Sequence, residues 1–170
     1  RDGSLPRSRV EQAAAKTVAL MMHEQHQEPP VEAAIGAHDA LSRRVSARAL
    51  TLVAGACRGP YVGREVTPVG DSVPVAAFAQ AARAAGLVVA PGGTTVALVG
   101  YGYGPADADV VVSLDTPYVL AGSQASVAKL ALYGADVEAM RALVAVLTGR
   151  TAARGRLPVS FQGLDEQRGC

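Results

Sequence analysis

A valine run in the last third of the chain constrains the fold more than any other feature. Residues 110–112 are all valine, and they stand between Asp109 and Asp115. Three β-branched residues in succession, bounded by acidic ones, are typical of a strand buried on both faces of a sheet. Pro117 prevents the strand from continuing, because proline has no amide hydrogen to donate. The run therefore predicts a central strand of a parallel sheet.

The segments around this run alternate between strand and helix patterns. A second strand is predicted at Val127–Gly134, an amphipathic helix at Asp136–Thr148, and an extended closing segment at Gly155–Val159. Upstream, the pattern predicts helices at Arg9–His26 and Ala37–Ala49, a strand at Leu50–Ala54, a short strand at Glu65–Val69, a helix capped by Asp71 that ends at Gly86, and strands at Leu87–Ala90 and Thr95–Val99. Such alternation predicts an α/β domain, a three-layer αβα sandwich with a mainly parallel sheet and helices on both of its faces.

Composition excludes several classes of protein. Of the 170 residues, 49% are apolar, so the chain can bury a sizeable core, and the net charge of +1 gives no field for nucleic acid or anionic membrane. The densest basic cluster, Arg43, Arg44 and Arg48, is expected to be the solvated face of a helix. No stretch of about 20 apolar residues exists that would span a membrane. The two cysteines, Cys57 and Cys170, form no metal-binding pattern, and they are either free thiols or a Cys57–Cys170 disulfide.

The amino-terminal part is predicted to lie outside the main domain. The chain begins at Arg1 and not at a methionine, and we expect it to be part of a longer protein. Its first helix should begin with a capping box of Ser8 and Glu11. The Pro29-Pro30 pair then marks a linker. We therefore divide the chain into a first segment at 1–27, a linker at 28–36 and the α/β domain at 37–170.

Three loops follow predicted strands, and ligands of parallel sheets bind beyond the carboxyl ends of strands. These loops span 55–60, 101–105 and 115–120, and from them we select Arg58, Asp115 and Tyr118 as candidate substrate-facing residues. Asp115 is either a catalytic carboxylate, for which Glu65 is the one acidic partner at a strand end, or a cap of the turn before Pro117. We favour the cap.

Two further patterns suggest chemistry but fit simpler interpretations. The segment at 100–104, Gly-Tyr-Gly-Tyr-Gly, follows a strand, but its glycine spacing and the proline after it do not match a dinucleotide-binding turn. His23 and His26 lie three residues apart, which allows a metal site, but a polar helix end before the linker explains them as well. We expect no metal site and no organic cofactor. No serine lies in a nucleophile-elbow pattern.

Several motifs, taken in order, resemble the C-terminal domain of family 3 glycoside hydrolases. They are Asp115-Thr116-Pro117-Tyr118, then Leu132-Tyr133-Gly134, then a helix ending at Leu147-Thr148-Gly149, and finally Gly155-Arg156-Leu157-Pro158-Val159. The segment from Leu5 to Met22 is similar to the end of that family's N-terminal (β/α)8 barrel. The Asp-Thr-Pro-Tyr form is most similar to the bacterial β-N-acetylhexosaminidase branch.

This resemblance implies a function for the longer protein. It would hydrolyse terminal β-linked N-acetylhexosamine residues with retention, and its partners would be its own barrel domain and a carbohydrate. In that branch the aspartate nucleophile and a histidine acid/base, within a Lys-His-Phe-Pro-Gly type motif, come from the barrel. We therefore expect no catalytic residue in this chain and no activity from the chain alone. Bacterial members are often secreted or lipid-anchored, although a cytoplasmic location is also compatible.

Two alternatives stay open at this point. The first alternative is a non-catalytic carbohydrate-binding or scaffold α/β module. The second, which has less support, is a nucleotide-binding α/β protein. A barrel encoded before Arg1 would favour the glycosidase, and tight binding of a dinucleotide would favour the last alternative.

Overall fold

A computed structural model describes residues 5–27, 37–158 and 160 of the chain. The chain divides into two units, Arg1–Ala37 and His38–Cys170. Cys170 and Val159 lie outside the described residues. The Cys57–Cys170 disulfide and the linker at 28–36 therefore stay predictions.

In the first unit, the described residues 5–27 contain one helix, α1 (Arg7–Glu24). The predicted capping box does not form. Pro6 precedes the first helical residue, and no side chain caps the helix. Ser8 consequently lies inside the first turn, where it cannot cap, and Glu11 instead pairs with Arg7 at 2.7 Å. Proline favours this start because its fixed φ suits a helix entry and it has no amide to satisfy. The packing of α1 against a barrel stays a prediction.

The described residues of the second unit form ten elements. In chain order they are α2 (Asp39–Ala49), β1 (Thr51–Ala54), β2 (Glu65–Gly70), α3 (Ser72–Ala84), β3 (Val88–Val89), β4 (Thr94–Val99), β5 (Asp107–Ser113), α4 (Val119–Gly122), β6 (Gln124–Ala131) and α5 (Val137–Leu147). All predicted helices and strands of this unit except the closing segment thus occur within a few residues of their expected bounds. The four-residue helix α4 was not predicted.

The six strands form one sheet in the order β1-β6-β5-β4-β2-β3. Four neighbouring pairs are parallel, and β1 alone pairs antiparallel, with β6. The valine run at 110–112 lies at the centre of the sheet in β5 and is fully buried, as predicted. Alternate valines of the run face opposite sides of the sheet, so each side contributes to a different hydrophobic cluster.

The helices α2, α3 and α5 lie on one face of the sheet. Phe78 of α3 and Leu143 of α5 are fully buried in the cluster beneath them. Arg43 of α2 donates from Nε and Nη2 to the buried Glu138 of α5, at 2.6 and 3.3 Å. The hydrogen bond from this arginine, more than any other interaction, holds the pKa of Glu138 below its usual value. Arg43, Arg44 and Arg48 are all exposed, so the prediction that this cluster is the solvated face of a helix is confirmed, and Arg43 pairs with Glu138 from that face.

The second face of the sheet is covered differently from the expected αβα sandwich. Leu120 of α4 and Leu157 of the closing segment pack on it, and none of the three longer helices of the unit contributes to this cluster. The reason is the length of the connections. The chain passes from β4 to β5 through residues 100–106, a span that crosses the sheet only in extended form. A second helical layer is therefore not found among residues 37–158.

The closing segment contacts the chain where α2 ends and β1 begins. The amide of Gly155 donates to the Leu50 carbonyl at 2.9 Å, and Leu157 is 5% exposed. Buried and exposed residues alternate from Ala153 to Pro158, as in an extended chain. The predicted extended conformation is confirmed for residues 155–158, and Leu157 faces the core.

Asp109 ties three strands together near their amino ends. Its carboxylate accepts hydrogen bonds from the amide and the hydroxyl of Thr95 in β4, both at 2.8 Å, and from the hydroxyl of Ser126 in β6 at 2.9 Å. The amide hydrogen bond from Thr95, followed by the two hydroxyl bonds, lowers the pKa of Asp109 below its usual value. The ionised carboxylate therefore stabilises the fold.

Candidate functional site

The structure brings two of the three predicted substrate-facing residues to the same edge of the sheet. Asp115 and Tyr118 follow β5, at the carboxyl end of the parallel strands. Arg58 follows β1, which runs antiparallel to β6, so its loop lies at the opposite edge. We expected all three loops to lie at the carboxyl edge of the parallel strands, which requires β1 to be parallel to the other strands. Because β1 is antiparallel, this expectation is wrong for residues 55–60.

Two loops form the carboxyl edge, residues 100–106 after β4 and residues 114–118 after β5. They carry Tyr101, Tyr103 and Tyr118, which are 91%, 54% and 56% exposed. The sequence pattern placed the loop at 101–105 among the three ligand-facing loops, but it singled out Tyr118 and neither of the tyrosines in that loop. The alternation of glycine and tyrosine at a strand end was the signal that could have identified them.

A groove of about 430 Å³ opens where β2 and β4 end. Val69, Ala97 and Val99 belong to the strands that line it, and Val69 is 53% exposed although it is a strand residue. Asp71 and Tyr103 line it from the adjoining loops. The groove thus combines an apolar floor with a carboxylate and a phenol, which is the usual composition of a small-molecule site.

A second hollow of about 220 Å³ adjoins the groove and shares Val99 and Tyr103 with it. Its other lining residues include Gly100, Tyr101 and Asp115. A Cβ atom on Gly100 would lie 3.8 Å from Oδ2 of Asp115, so the carboxylate of Asp115 is directed toward the glycine-rich loop. The two hollows therefore form one continuous surface, which we call the carboxyl-edge cleft.

Asp71 and Tyr103 tie the two sides of the cleft together. The hydroxyl of Tyr103 donates to the carboxylate of Asp71. This hydrogen bond, with the negative charge of Asp71, raises the pKa of the Tyr103 phenol above its usual value. Asp71 occupies the position predicted for the cap of α3, but its side chain makes no capping hydrogen bond. The carboxylate is used to hold the glycine-rich loop instead.

The catalytic interpretation of Asp115 with Glu65 does not fit the geometry. Glu65 begins β2 and Asp115 follows the far end of β5, which is parallel to β2 through β4. Strand rise places the two carboxylates more than about 20 Å apart along the strands. A pair of glycosidase carboxylates acts over about 5–10 Å. Asp115 is exposed, as a residue in a turn would be.

The other chemistries considered from the sequence find no support among the described residues. No helix follows the 100–106 loop before β5, so it offers no helix N-terminus to a dinucleotide pyrophosphate. Nδ1 of His26 lies 2.6 Å from the Met22 carbonyl, and Nε2 of His23 lies 3.2 Å from the Gln27 side chain. No cluster of three His, Cys, Asp or Glu side chains suited to a metal occurs in residues 5–27 and 37–158. None of the described helices is long and apolar enough to cross a membrane.

Comparison with known proteins gives a consistent result at the level of the fold. No protein-family model matches the chain, and no curated protein sequence matches it. Among solved structures, a family 3 β-N-acetylglucosaminidase from Paenibacillus sp. str. FPU-7 matches 92% of this chain with a TM-score of 0.58 and 17% identity. The fold is that of part of a family 3 glycoside hydrolase. This chain covers 40% of that structure.

Two further structures show the same relation. A fungal multi-domain family 3 β-N-acetylglucosaminidase matches 96% of this chain with a TM-score of 0.57 and 15% identity, and 24% of its own length is covered. The β-glucoside phosphorylase BglX matches 92% of this chain with a TM-score of 0.58 and 15% identity, and 39% of its length is covered. This chain therefore spans less than half of each of these proteins.

Proposed function

We propose that this chain is the C-terminal domain of a family 3 glycoside hydrolase of the β-N-acetylhexosaminidase type. The observation that carries the proposal is the similarity of 92% or more of the chain to two family 3 β-N-acetylglucosaminidases, at TM-scores of 0.58 and 0.57. The motifs from Asp115 to Val159 point to the same family independently, because they are patterns of residue types and do not depend on the path of the backbone.

The reaction of the longer protein would be hydrolysis of a terminal β-linked N-acetylhexosamine with retention of configuration. Retention requires a nucleophile and a general acid/base held in one constellation around the glycosidic bond. In this chain Asp115 has no carboxylate partner at the required distance in Glu65, and the carboxylate of Asp71 is engaged by Tyr103. Both catalytic groups would therefore come from the N-terminal barrel, and this domain would face the substrate with its carboxyl-edge cleft.

A second function is supported by one observation. The tyrosines exposed on the cleft suit a carbohydrate, so a non-catalytic carbohydrate-binding module is the alternative. The similarity to a β-glucoside phosphorylase also shows that this fold occurs in proteins with different reactions.

A chromogenic N-acetyl-β-glucosaminide assay tests the proposal. The 170-residue chain should release chromophore only at the background rate, and the protein encoded with its upstream sequence should turn the substrate over and form the β-anomer first. Turnover by the isolated chain that survives repurification and is lost in Asp115→Asn would contradict the proposal. An upstream-extended protein that binds chitobiose but never hydrolyses it would favour the binding module.

A further inference from the structure

A hollow of about 320 Å³ lies at the opposite edge of the sheet from the carboxyl-edge cleft, where the loop after β1 meets the end of α5. Two arginines and four small residues line it, which are Arg58, Gly59, Gly149, Arg150, Thr151 and Ala152. The two segments that form it, residues 50–64 and 139–163, contain six arginines and no Asp or Glu. In a chain with a net charge of only +1, this hollow, which we call the arginine hollow, is a local concentration of positive charge.

A close contact between two glycines brings the two arginines to the same hollow. A Cβ atom on Gly149, whose φ is 73°, would lie 3.1 Å from the carbonyl carbon of Gly59. A Cβ atom on Gly59 would lie 3.2 Å from the Val146 carbonyl oxygen. The backbones can therefore approach this closely only because both residues are glycine. Arg58 precedes one glycine and Arg150 follows the other, so the contact fixes the backbone from which each guanidinium group extends.

The end of α5 does not cancel the positive charge of the hollow. Free carbonyl groups at the end of a helix repel anions. The last four carbonyl groups of α5, those of residues 144–147, each accept a hydrogen bond from an amide of residues 148–150 or of Tyr61. The hydroxyl of Tyr61 also donates to the Ala56 carbonyl at 2.6 Å, which fixes the loop after β1 from its other side. An anion in the hollow therefore meets a helix end whose carbonyls are already occupied.

Both guanidinium groups have hydrogen-bond donors to spare. Nη2 of Arg150 donates to the Ala85 carbonyl at the end of α3, at 2.7 Å. This bond orients the guanidinium group and leaves its other N–H groups able to donate. Arg58 has no hydrogen bond or ion pair with any described residue. The arginine hollow thus presents one oriented and one unpaired cation, together with the hydroxyl of Thr151.

The charge and the lining of the hollow narrow the class of ligand. Guanidinium groups bind phosphates and carboxylates through paired hydrogen bonds. Two guanidinium groups at one hollow are neutralised by a dianion better than by a single carboxylate, and a phosphate monoester carries a charge of about −1.5 to −2 at pH 7. No aromatic side chain lines the hollow to stack on a nucleobase. Its volume of about 320 Å³ is at the lower end of the range for small-ligand sites, roughly 300–1,000 Å³.

We propose that the arginine hollow is a binding site for a small soluble phosphate monoester. Arg150 is already oriented to receive the phosphate, Arg58 closes on it from the loop after β1, and the hydroxyl of Thr151 donates a further hydrogen bond. The hollow and the carboxyl-edge cleft lie at opposite edges of the sheet, so this ligand does not compete with a substrate at the cleft. The site does not depend on the assignment of the chain to a glycosidase.

Titration of the ¹⁵N-labelled 170-residue chain with glycerol 3-phosphate at constant ionic strength, followed by NMR, tests this site. We expect saturable shifts at the amides of residues 58–59 and 149–152. Arg58→Gln should weaken binding roughly tenfold, and acetate, a monoanion, should bind at least roughly tenfold more weakly than the phosphate ester. Because Arg58 contacts no described residue through its charge, the melting temperature of Arg58→Gln should equal that of the parent. Arg64→Gln is the matched control, because Arg64 is exposed near the same loop but does not line the hollow, and it should bind as the parent does.

Four results would overturn the proposal. The first two are the absence of saturable shifts and an Arg58→Gln variant that binds as tightly as the parent. The third is an equal loss of affinity in Arg64→Gln and Arg58→Gln, which would show a diffuse effect of charge and not a site. The fourth comes from phosphatidylcholine vesicles that contain phosphatidic acid. If the chain sediments with these vesicles but does not respond to glycerol 3-phosphate, the ligand is a lipid headgroup at a membrane surface and not a small soluble ester.

Discussion

Truncation of Leu157 to alanine is the strongest test of how the closing segment supports the fold. Leu157 is 5% exposed and belongs to the cluster on the second face of the sheet. Its neighbours in the cluster include Val53, Val111 and Ala131, which are 2% exposed or less. These residues sit on paired strands of a continuous sheet and cannot move far to fill a cavity. Leu157 itself belongs to no strand, and the amide of Gly155, two residues earlier, donates to the Leu50 carbonyl.

These two facts set the expected magnitude. Leu→Ala changes in buried cores cost about 2–5 kcal/mol, and the loss grows with the cavity that remains. The strand layer on one side of the cavity is held by its pairing, whereas the backbone at Leu157 is not paired in a strand and can shift toward the sheet to close part of the cavity. We therefore expect a loss at the lower end of that range, about 2–3 kcal/mol. For a domain of this size the melting temperature should fall by roughly 5–10 °C.

The assay is urea and thermal unfolding of three proteins, the parent, Leu157→Ala and Leu41→Ala. Leu41 lies on α2 and is 50% exposed, so the same three carbon atoms are removed from a surface position. That control should change stability by less than about 0.5 kcal/mol. If Leu157→Ala and Leu41→Ala unfold at the same urea concentration and temperature, the closing segment does not stabilise the fold, and the Gly-Arg-Leu-Pro-Val element has no role in the core. A reduced urea m-value in Leu157→Ala would instead show that the segment has detached in the native state.

Three other predictions concern an ion pair, a set of carboxylate hydrogen bonds and a close backbone contact. Arg43→Ala should lower the melting temperature more than the matched Arg44→Ala, because it leaves a buried carboxylate without its two-pronged partner, and the difference should shrink in acid. Asp109→Asn should lower the free energy of unfolding at pH 7 by about 1–3 kcal/mol. Because the pKa of Asp109 is lowered in the folded state, the stability that its carboxylate contributes is lost in acid, and the difference between variant and parent should disappear below about pH 4. A difference in unfolding free energy that does not change with pH would contradict this. Gly155→Ala should destabilise by roughly 1–3 kcal/mol, because its Cβ would collide with the carbonyl oxygen at the end of α2, whereas Gly63→Ala, with its nearest neighbour 3.8 Å away, should cost less than about 1 kcal/mol in a denaturant titration.

Much of the fold follows from local patterns in the sequence. The valine run at 110–112 identified the central strand because three β-branched residues in succession are typical of a strand that is buried on both faces of a sheet. The amphipathic pattern that starts at Asp136 gave the start of α5 correctly, and the Asp136 carboxylate caps the helix by accepting hydrogen bonds from two of its amides. Gly86 ends the predicted third helix with φ of 89°, a conformation that suits glycine.

The parts that could not be predicted depend on distant residues. The direction of β1 is set by its pairing with β6, about 75 residues later in the chain, and no local pattern distinguishes a parallel from an antiparallel edge strand. The ion pair of Arg43 with Glu138 also joins distant residues, so the local pattern that correctly placed Arg43 on an exposed helix face could not predict it.

The candidate site was only partly predictable for the same reason. Asp115 and Tyr118 were identified because they follow a strand, whereas Asp71 was assigned to a helix cap, which is the usual local use of such a residue. Its contact with Tyr103 forms only when the loop after β4 folds back beside the end of β2. The second helical layer was expected from the class of fold, but the short connections from β4 to β6 leave no room for it in residues 37–158.

The nucleotide sequence upstream of the Arg1 codon in the parent gene is the most direct test of the central claim, that this chain is a domain of a larger family 3 glycosidase. We predict an open reading frame that encodes a (β/α)8 barrel, with a Lys-His-Phe-Pro-Gly type motif to supply the acid/base and an aspartate nucleophile at a strand end. A reading frame that starts within a few codons of Arg1 would contradict this claim, and the chain would then be an independent carbohydrate-binding module.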